Sequence, residues 1–191
     1  LSSGGKDSSA AWWWAQCRGW DVVALVTVQI QDGDSHMFQV PSTQWVEHQA
    51  LAAQVEWYSV NAEGSVDNEF SSLATVLEEL NLDAIVSGAL RSDFQKVKLE
   101  NMAHRLGIHS FSPLWHQDPY SHLHAMIENG FKIMINSVSC DGLDGQWLGR
   151  ILDLENVKEL RSLSEKYRFN VDGEGGEYET FVVGGPHLPR T

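Results

Sequence analysis

Short apolar runs alternate with segments of helical periodicity over the first half of the chain. The nearly continuous, β-branched run at 21–30 is typical of a parallel strand covered on both faces. Segments of strand character follow at 55–60 and 83–88, and the segments 43–54 and 68–80 between them have the spacing of helices. Because strands alternate with helices, the pattern predicts an α/β fold with a doubly wound, mostly parallel sheet. In such a sheet, ligands bind at the carboxyl ends of the strands.

The second half has the pattern of a smaller α+β unit. It begins with an extended segment containing a proline, and then predicts a short helix at 120–129, a half-buried alternating strand at 131–138 and a further helix at 154–167. We therefore divide the chain into two predicted domains, 1–112 and 113–191. The pattern shows no internal repeat and no low-complexity segment.

Composition narrows the classes of function. The 13 basic and 26 acidic side chains give a net charge of -13, which repels polyanions, and no Lys/Arg run offers a local basic patch. Direct nucleic-acid binding is therefore not expected. Cys17 and Cys140 lie far apart, which fits a reducing cytosol and excludes a cysteine-based zinc or iron–sulfur site from this chain alone. Apolar runs are too short to span a bilayer and no signal peptide is visible, so we expect a cytoplasmic protein without a membrane partner.

The opening segment, Ser2-Ser3-Gly4-Gly5-Lys6-Asp7-Ser8-Ser9, precedes a predicted helix at 8–18. Its glycines allow backbone N–H groups to approach an anion, so a phosphate would meet a helix N-terminus, oriented amides and a lysine together. We expect Lys6 at the exposed tip of this loop. A Walker A loop requires Ser or Thr where Asp7 stands, whereas Ser-Gly-Gly-Lys-Asp-Ser resembles the PP-loop of ATP pyrophosphatases, which cleave ATP between its α and β phosphates. A glycine-rich turn before a helix is the alternative.

Two further loops should lie beside the opening segment at the carboxyl edge of the predicted sheet. One contains Ser35, and the other is Ser87-Gly88-Ala89-Leu90-Arg91-Ser92. Ser92 is a plausible N-cap for a helix predicted over 93–106. Gln95, Lys96 and Lys98 would then lie in or near its first turns, where they could reach a nucleotide. A capped helix with solvated lysines explains the same residues equally well.

An acidic segment closes the chain, Asp172-Gly173-Glu174-Gly175-Gly176-Glu177-Tyr178-Glu179-Thr180, before a strand predicted at 181–183. Its four carboxylates repel one another unless a cation or a donor-rich ligand is present. Its glycines indicate a loop whose backbone a ligand can approach closely. A solvated acidic loop is the alternative.

The motifs together resemble one family over almost the whole chain. The following occur in the order seen in the diphthine–ammonia ligase family: Ser-Gly-Gly-Lys-Asp-Ser, Ser35-His36-Met37-Phe38, Ser87-Gly88-Ala89 with Ser92-Asp93-Phe94-Gln95, Pro113-Leu114-Trp115, Gly142-Leu143-Asp144 with Leu148-Gly149-Arg150, and Glu174-Gly175-Gly176-Glu177-Tyr178-Glu179-Thr180. The resemblance implies an N-terminal nucleotide-binding domain, a C-terminal substrate domain, and ATP-dependent amidation of diphthine on translation elongation factor 2. It implies ATP, Mg²⁺ and ammonium as further partners, and it leaves the oligomeric state open.

The resemblance also implies roles for particular residues. The expected nucleotide-binding set is Ser3, Gly4, Gly5, Lys6, Asp7, Ser8, Ser35, Gly88, Ser92 and Gln95. The expected substrate-binding set is Glu174, Gly175, Gly176, Glu177, Tyr178 and Glu179. Lys6 and Asp7 are the expected catalytic residues, with Asp7 also a possible Mg²⁺ ligand.

The sequence departs from the family pattern at a few positions. Phe94 and His36 replace usual tyrosines, and Lys96 and Lys98 replace usual arginines. Leu1 stands where the first strand of the family should be ending, so we expect that strand to be missing from this sequence.

Two interpretations of the acidic segment stay open, as do two other classes of function. Diphthine carries a quaternary ammonium group, which carboxylates and the ring of Tyr178 could hold, whereas the same carboxylates could instead bind Mg²⁺. A PP-loop enzyme acting on tRNA is disfavoured by the acidic charge. A nucleotide-binding module without ligase activity, or a ligase for another carboxylate, is the remaining alternative.

Overall fold

The computed structural model describes residues 1–30, 42–62 and 66–188. Its helices are α1 (Lys6–Cys17), α2 (Val46–Ala53), α3 (Val66–Glu79), α4 (Asp93–Leu106), α5 (Pro119–Glu128) and α6 (Leu154–Tyr167), with short 3₁₀ turns at Thr43–Trp45 and Gly145–Trp147. Its strands are β1 (Ala24–Ile30), β2 (Glu56–Ala62), β3 (Ala84–Val86), β4 (His109–Phe111), β5 (Lys132–Val138) and β6 (Tyr178–Gly184). Within these ranges, none of the helices is both long and apolar enough to cross a bilayer.

Two parallel strand pairs form the sheet of the first unit. β1 pairs with β2 from Ala24 opposite Glu56 onward, and β3 pairs with β4. The opening residues lie between the pairs, because the amino group of Leu1 donates to the Val86 carbonyl (2.7 Å) and the Ser2 amide donates to the Val26 carbonyl (2.9 Å). The predicted α/β class with parallel strands is confirmed.

Helices cover this sheet from both sides, because side chains alternate between the faces of a strand. Val26 and Val28 pack with α3 and α4 in one apolar cluster that includes Leu73, Leu77 and Leu99. Leu25, which directly precedes Val26, packs on the other side in a second cluster. That cluster includes Trp12 of α1 and Val46 and Ala50 of α2. This arrangement of helices is the one that a doubly wound sheet requires.

The second unit is an α+β layer in which β5 and β6 pair antiparallel and α5 packs beside α6. Its core also contains Ala10 and Ala11 of α1, so this helix is shared by the two units. The strand predicted at 181–183 begins earlier, at Tyr178, because the Tyr178 side chain is part of this core. The end of the acidic segment is therefore strand rather than loop.

Candidate active site

A cavity of about 400 Å³ lies where the opening loop meets the end of β3 and the acidic segment. It is lined by residues 1–3 and 5–8, by residues 87–90 with Gln95, and by residues 173–176 and 178–180. The structure therefore brings together three segments that the sequence singled out separately. Ser35, the fourth predicted contributor, lies outside the described residues, as does His36.

Gly4 faces away from this cavity, toward β6. Its φ of +78° is in the left-handed region, and a Cβ atom there would come within 2.5 Å of the Phe181 ring. Its carbonyl accepts hydrogen bonds from the Val182 amide (2.9 Å) and from Gln49 Nε2 (3.2 Å). Gly4 is therefore required by the contact between the loop and β6; it does not line the cavity, and its expected contact with the nucleotide stays a prediction.

Lys6 is buried, and the expectation of an exposed lysine is wrong. The residue is 4% exposed, because β6 covers the loop and Thr180 Oγ1 accepts a hydrogen bond from the Lys6 amide (3.1 Å). Its ammonium lies 2.7 Å from Asp7 Oδ2. Lys6 therefore borders the cavity as part of an ion pair at the start of α1.

Asp7 is held by donors from both units. Its second oxygen, Oδ1, lies 3.3 Å from Nε2 of His122, a buried residue of α5. Burial alone would raise the pKa of Asp7, but the charge of Lys6 and the hydrogen bond from His122 outweigh it and lower that pKa. The sequence analysis missed His122, because a single histidine on a helix has no motif around it.

The loop after β3 contacts α1 through Gly88. A Cβ atom at this position would lie 2.6 Å from the Ser8 nitrogen, so only glycine permits the contact. Ser92 does not line the cavity; its hydroxyl caps α4 by accepting a hydrogen bond from the Gln95 amide (3.4 Å). The N-cap predicted at Ser92 is therefore confirmed, its expected contact with the nucleotide stays a prediction, and Gln95 borders the cavity.

Arg91 clamps the acidic segment onto the loop after β3. Its Nη2 lies 2.9 and 2.8 Å from the two oxygens of the buried Asp172, and 2.6 Å from Glu174 Oε2. The Arg91 amide also donates to Glu174 Oε1 (2.8 Å). Although burial opposes it, the hydrogen bond to Asp172 and the charges of both carboxylates raise the pKa of Arg91. Two of the four acidic side chains thus share one cationic partner within the protein.

Glu177 and Tyr178 shape the acidic segment from inside. Glu177 Oε1 accepts from the amide (2.8 Å) and the side chain (2.7 Å) of Asn170, and the residue does not line the cavity. Tyr178 is 2% exposed, and its hydroxyl donates to the Val171 carbonyl (2.6 Å). Glu177 thus lies outside the cavity lining, whereas Tyr178 borders the cavity with its ring packed in the core, and the substrate-binding roles expected for both stay predictions.

Glu179 is the carboxylate of the segment that borders the cavity without such a partner. In the described part of the chain its side chain has no hydrogen bond or ion pair. Burial raises its pKa, and the charges of Asp7 and Glu177 add to this effect, whereas the charge of Lys6 opposes it. Across the described ranges, no three Asp, Glu, His or Cys side chains are grouped so as to hold a metal ion.

Comparison with known proteins identifies the family. Residues 1–110 match the model of the diphthamide synthase N-terminal domain, and residues 118–190 match that of the diphthamide synthase C-terminal domain. The chain belongs to the diphthamide synthase family. The match covers almost the whole chain, as does the resemblance seen in the sequence motifs.

Relatives within the diphthamide synthase family carry an enzyme name. A diphthine–ammonia ligase from Danio rerio is 35% identical over 97% of this chain and 81% of its own length, and one from Homo sapiens is 31% identical over 97% and 78%. A solved structure from Methanocaldococcus jannaschii, described as a predicted subunit of tRNA methyltransferase, aligns with a TM-score of 0.49 at 18% identity. That alignment covers 97% of this chain and 95% of the other.

The residues at the cavity fit the triphosphate of the nucleotide that a ligase of this family requires. The first amides of a helix have no intrahelical acceptor, so those of Asp7 and Ser8 at the start of α1 suit an anion. Lys6 adds a positive charge, and the cavity volume is within the usual range for small-molecule sites. Asp7 fits a Mg²⁺ ion held mainly by phosphates and water, which is the usual mode for this ion.

The departures from the diphthamide synthase pattern on α4 lie away from the cavity. Phe94 is 49% exposed, and its ring lies 5.8 Å from the Lys98 ammonium. Lys98 forms an ion pair with Asp67 (2.7 Å) and Lys96 forms one with Glu100. Both lysines thus belong to the surface of a capped helix, and neither lines the cavity.

Proposed function

We propose that this chain is an ATP-dependent ligase that amidates diphthine on translation elongation factor 2, using ammonium and releasing AMP and pyrophosphate. The observation that carries the proposal is the single cavity shared by a PP-loop and the acidic segment typical of the family. The enzyme name of relatives that align over nearly the full chain supports it. We place the reaction in the cytoplasm, where elongation factor 2 acts.

The chemistry follows from the poor reactivity of a carboxylate toward amines. A diphthine carboxylate oxygen attacks the α phosphorus of ATP, and the bond between the α and β phosphates breaks to release pyrophosphate. Ammonia then attacks the carbonyl carbon of the mixed anhydride, the bond to AMP breaks, and one proton leaves the nitrogen. The amides of α1 and the ammonium of Lys6 would stabilise the charge that develops on pyrophosphate, and Asp7 would hold the Mg²⁺ ion that accompanies ATP.

Glu179 is the residue we assign to the cationic end of diphthine. Its carboxylate borders the cavity beside the opening loop, and Glu174 and Glu177 are already engaged by Arg91 and Asn170. A quaternary ammonium group donates no hydrogen bond, so it requires only a negative charge and contact area. A quaternary ammonium group bound next to Glu179 would stabilise the ionised carboxylate and so counteract the effect of burial, which raises its pKa.

The test is a comparison of acceptors in the presence of ATP, Mg²⁺ and ammonium. Elongation factor 2 carrying diphthine, bulk tRNA and a panel of small carboxylic acids are each incubated with the protein, and AMP and pyrophosphate are measured. We expect release with the diphthine-bearing factor, and none with tRNA or with a folded Lys6→Ala variant. Release that requires tRNA, or an equal response to the small acids, would contradict the proposal.

A further inference from the structure

His122 connects the second unit of the protein to the PP-loop. It lies on α5, within the region matched by the C-terminal family model, and is 7% exposed. Its Nε2 is 3.3 Å from Oδ1 of Asp7, a residue of the N-terminal model. Asp7 is paired with the Lys6 ammonium, and a carboxylate in such an ion pair can only accept hydrogen bonds, so the Nε2–H of His122 donates.

The two oxygens of Asp7 have different partners. Oδ2 is paired with the Lys6 ammonium at 2.7 Å, and Oδ1 is bonded to His122. Under the proposed function, the Lys6 ammonium would contact the phosphates of bound ATP, and Oδ2 of Asp7 would then be open to another ligand. Within the described residues, His122 is then the side chain that still donates to this carboxylate.

We propose that His122 is a positioning residue that holds the Asp7 carboxylate in the orientation in which its free oxygen receives the Mg²⁺ ion of bound ATP. The inference rests on the proposed assignment of Asp7 to the metal. It concerns the binding of the nucleotide with its metal and not the identity of the acceptor. A histidine that merely fills space in the core would have no such link to Mg²⁺.

The test compares His122→Leu, which removes the donor, with His122→Gln, whose amide can replace Nε2–H. His124→Leu is the matched control, because His124 lies on the same helix and pairs with Glu128 (3.2 Å) away from Asp7. The dissociation constant of ATP is measured by calorimetry with EDTA and with excess Mg²⁺, and the folded state is checked by near-UV circular dichroism.

We expect His122→Leu to weaken binding of ATP with Mg²⁺ about tenfold, as for loss of a hydrogen bond to a charged group, and to leave metal-free ATP binding unchanged. His122→Gln should restore most of the affinity, and His124→Leu should behave as wild type. Equal losses with and without Mg²⁺, or a His122→Leu variant with wild-type metal dependence, would overturn the inference. Neither measurement uses diphthine, so failure of the amidation assay is a separate result.

Discussion

The buried His187 predicts a specific loss of stability in acid. The residue is 3% exposed, its ring stacks on Phe131 at a centroid distance of 5.1 Å, and its edge contacts Trp12 at 4.7 Å. Neither ring nitrogen has a hydrogen-bond partner in the described part of the chain. Burial lowers its pKa from 6.5 to about 4, because the charged form would be left without water or a counter-ion.

The magnitude follows from proton linkage. Between these two pKa values the unfolded chain binds more protons than the folded one, so stability rises with pH across this window. The contribution of His187 is fully present above pH 6.5 and is lost as the pH falls toward 4. The loss of stability amounts to about 2 kcal/mol at pH 5 and about 3 kcal/mol at pH 4.

The assay is urea unfolding between pH 4 and pH 8 of the wild type, of His187→Phe and of a control, His104→Gln, at an exposed position. The difference in unfolding free energy between wild type and His187→Phe should shift by about 3 kcal/mol over this range. Other titrating groups, such as Asp7, are shared and cancel in the difference. A difference that stays constant with pH would refute the reasoning.

Substitutions at Gly4, Arg91 and Glu179 also test the site. Gly4→Ala should cost about 2 kcal/mol in urea unfolding, through left-handed strain and the clash with Phe181, and Gly4→Ala/Phe181→Ala should recover part of it. Arg91→Lys should cost about 2 kcal/mol, because an ammonium cannot bridge two carboxylates, and a wild-type unfolding free energy would argue against the clamp. Glu179→Gln should raise KM for the protein substrate about tenfold without changing the affinity for Mg·ATP. The control, Glu177→Gln, should change neither quantity. Loss of Mg·ATP affinity in Glu179→Gln would assign the acidic segment to the metal instead.

Local patterns predicted most of the fold. The helix predicted at 93–106 agrees with α4 at both ends, because Ser92 caps its start and Gly107 ends it with a φ of +71°. The apolar run at 21–30 contains β1. A strand covered on both faces is apolar at nearly every position, so it can be recognised as a continuous apolar run. These signals act over a few residues, so they can be recognised in a single sequence.

Contacts between distant residues could not be predicted in this way. Lys6 is buried by Thr180, which is 174 positions away, and the partner of Asp7 is His122, 115 positions away. The clamp between Arg91 and Asp172 joins residues 81 positions apart, and neither residue belongs to a motif that specifies the pair. Composition makes the four carboxylates of the acidic segment look alike. Their contacts in the folded chain distinguish Glu179 from the other three, which bind Arg91 or Asn170.

Under the proposed function, diphthine is activated by ATP and amidated by ammonia within one cavity. The most direct test supplies elongation factor 2 carrying diphthine with ATP, Mg²⁺ and nitrogen-15 ammonium, and then locates the label by peptide mass spectrometry while AMP is measured in parallel. The account predicts label in the side-chain amide of the diphthine residue, in equal amount to the AMP formed, and none of either with Lys6→Ala. AMP formation without label at that residue, or label that does not require ATP, would contradict it.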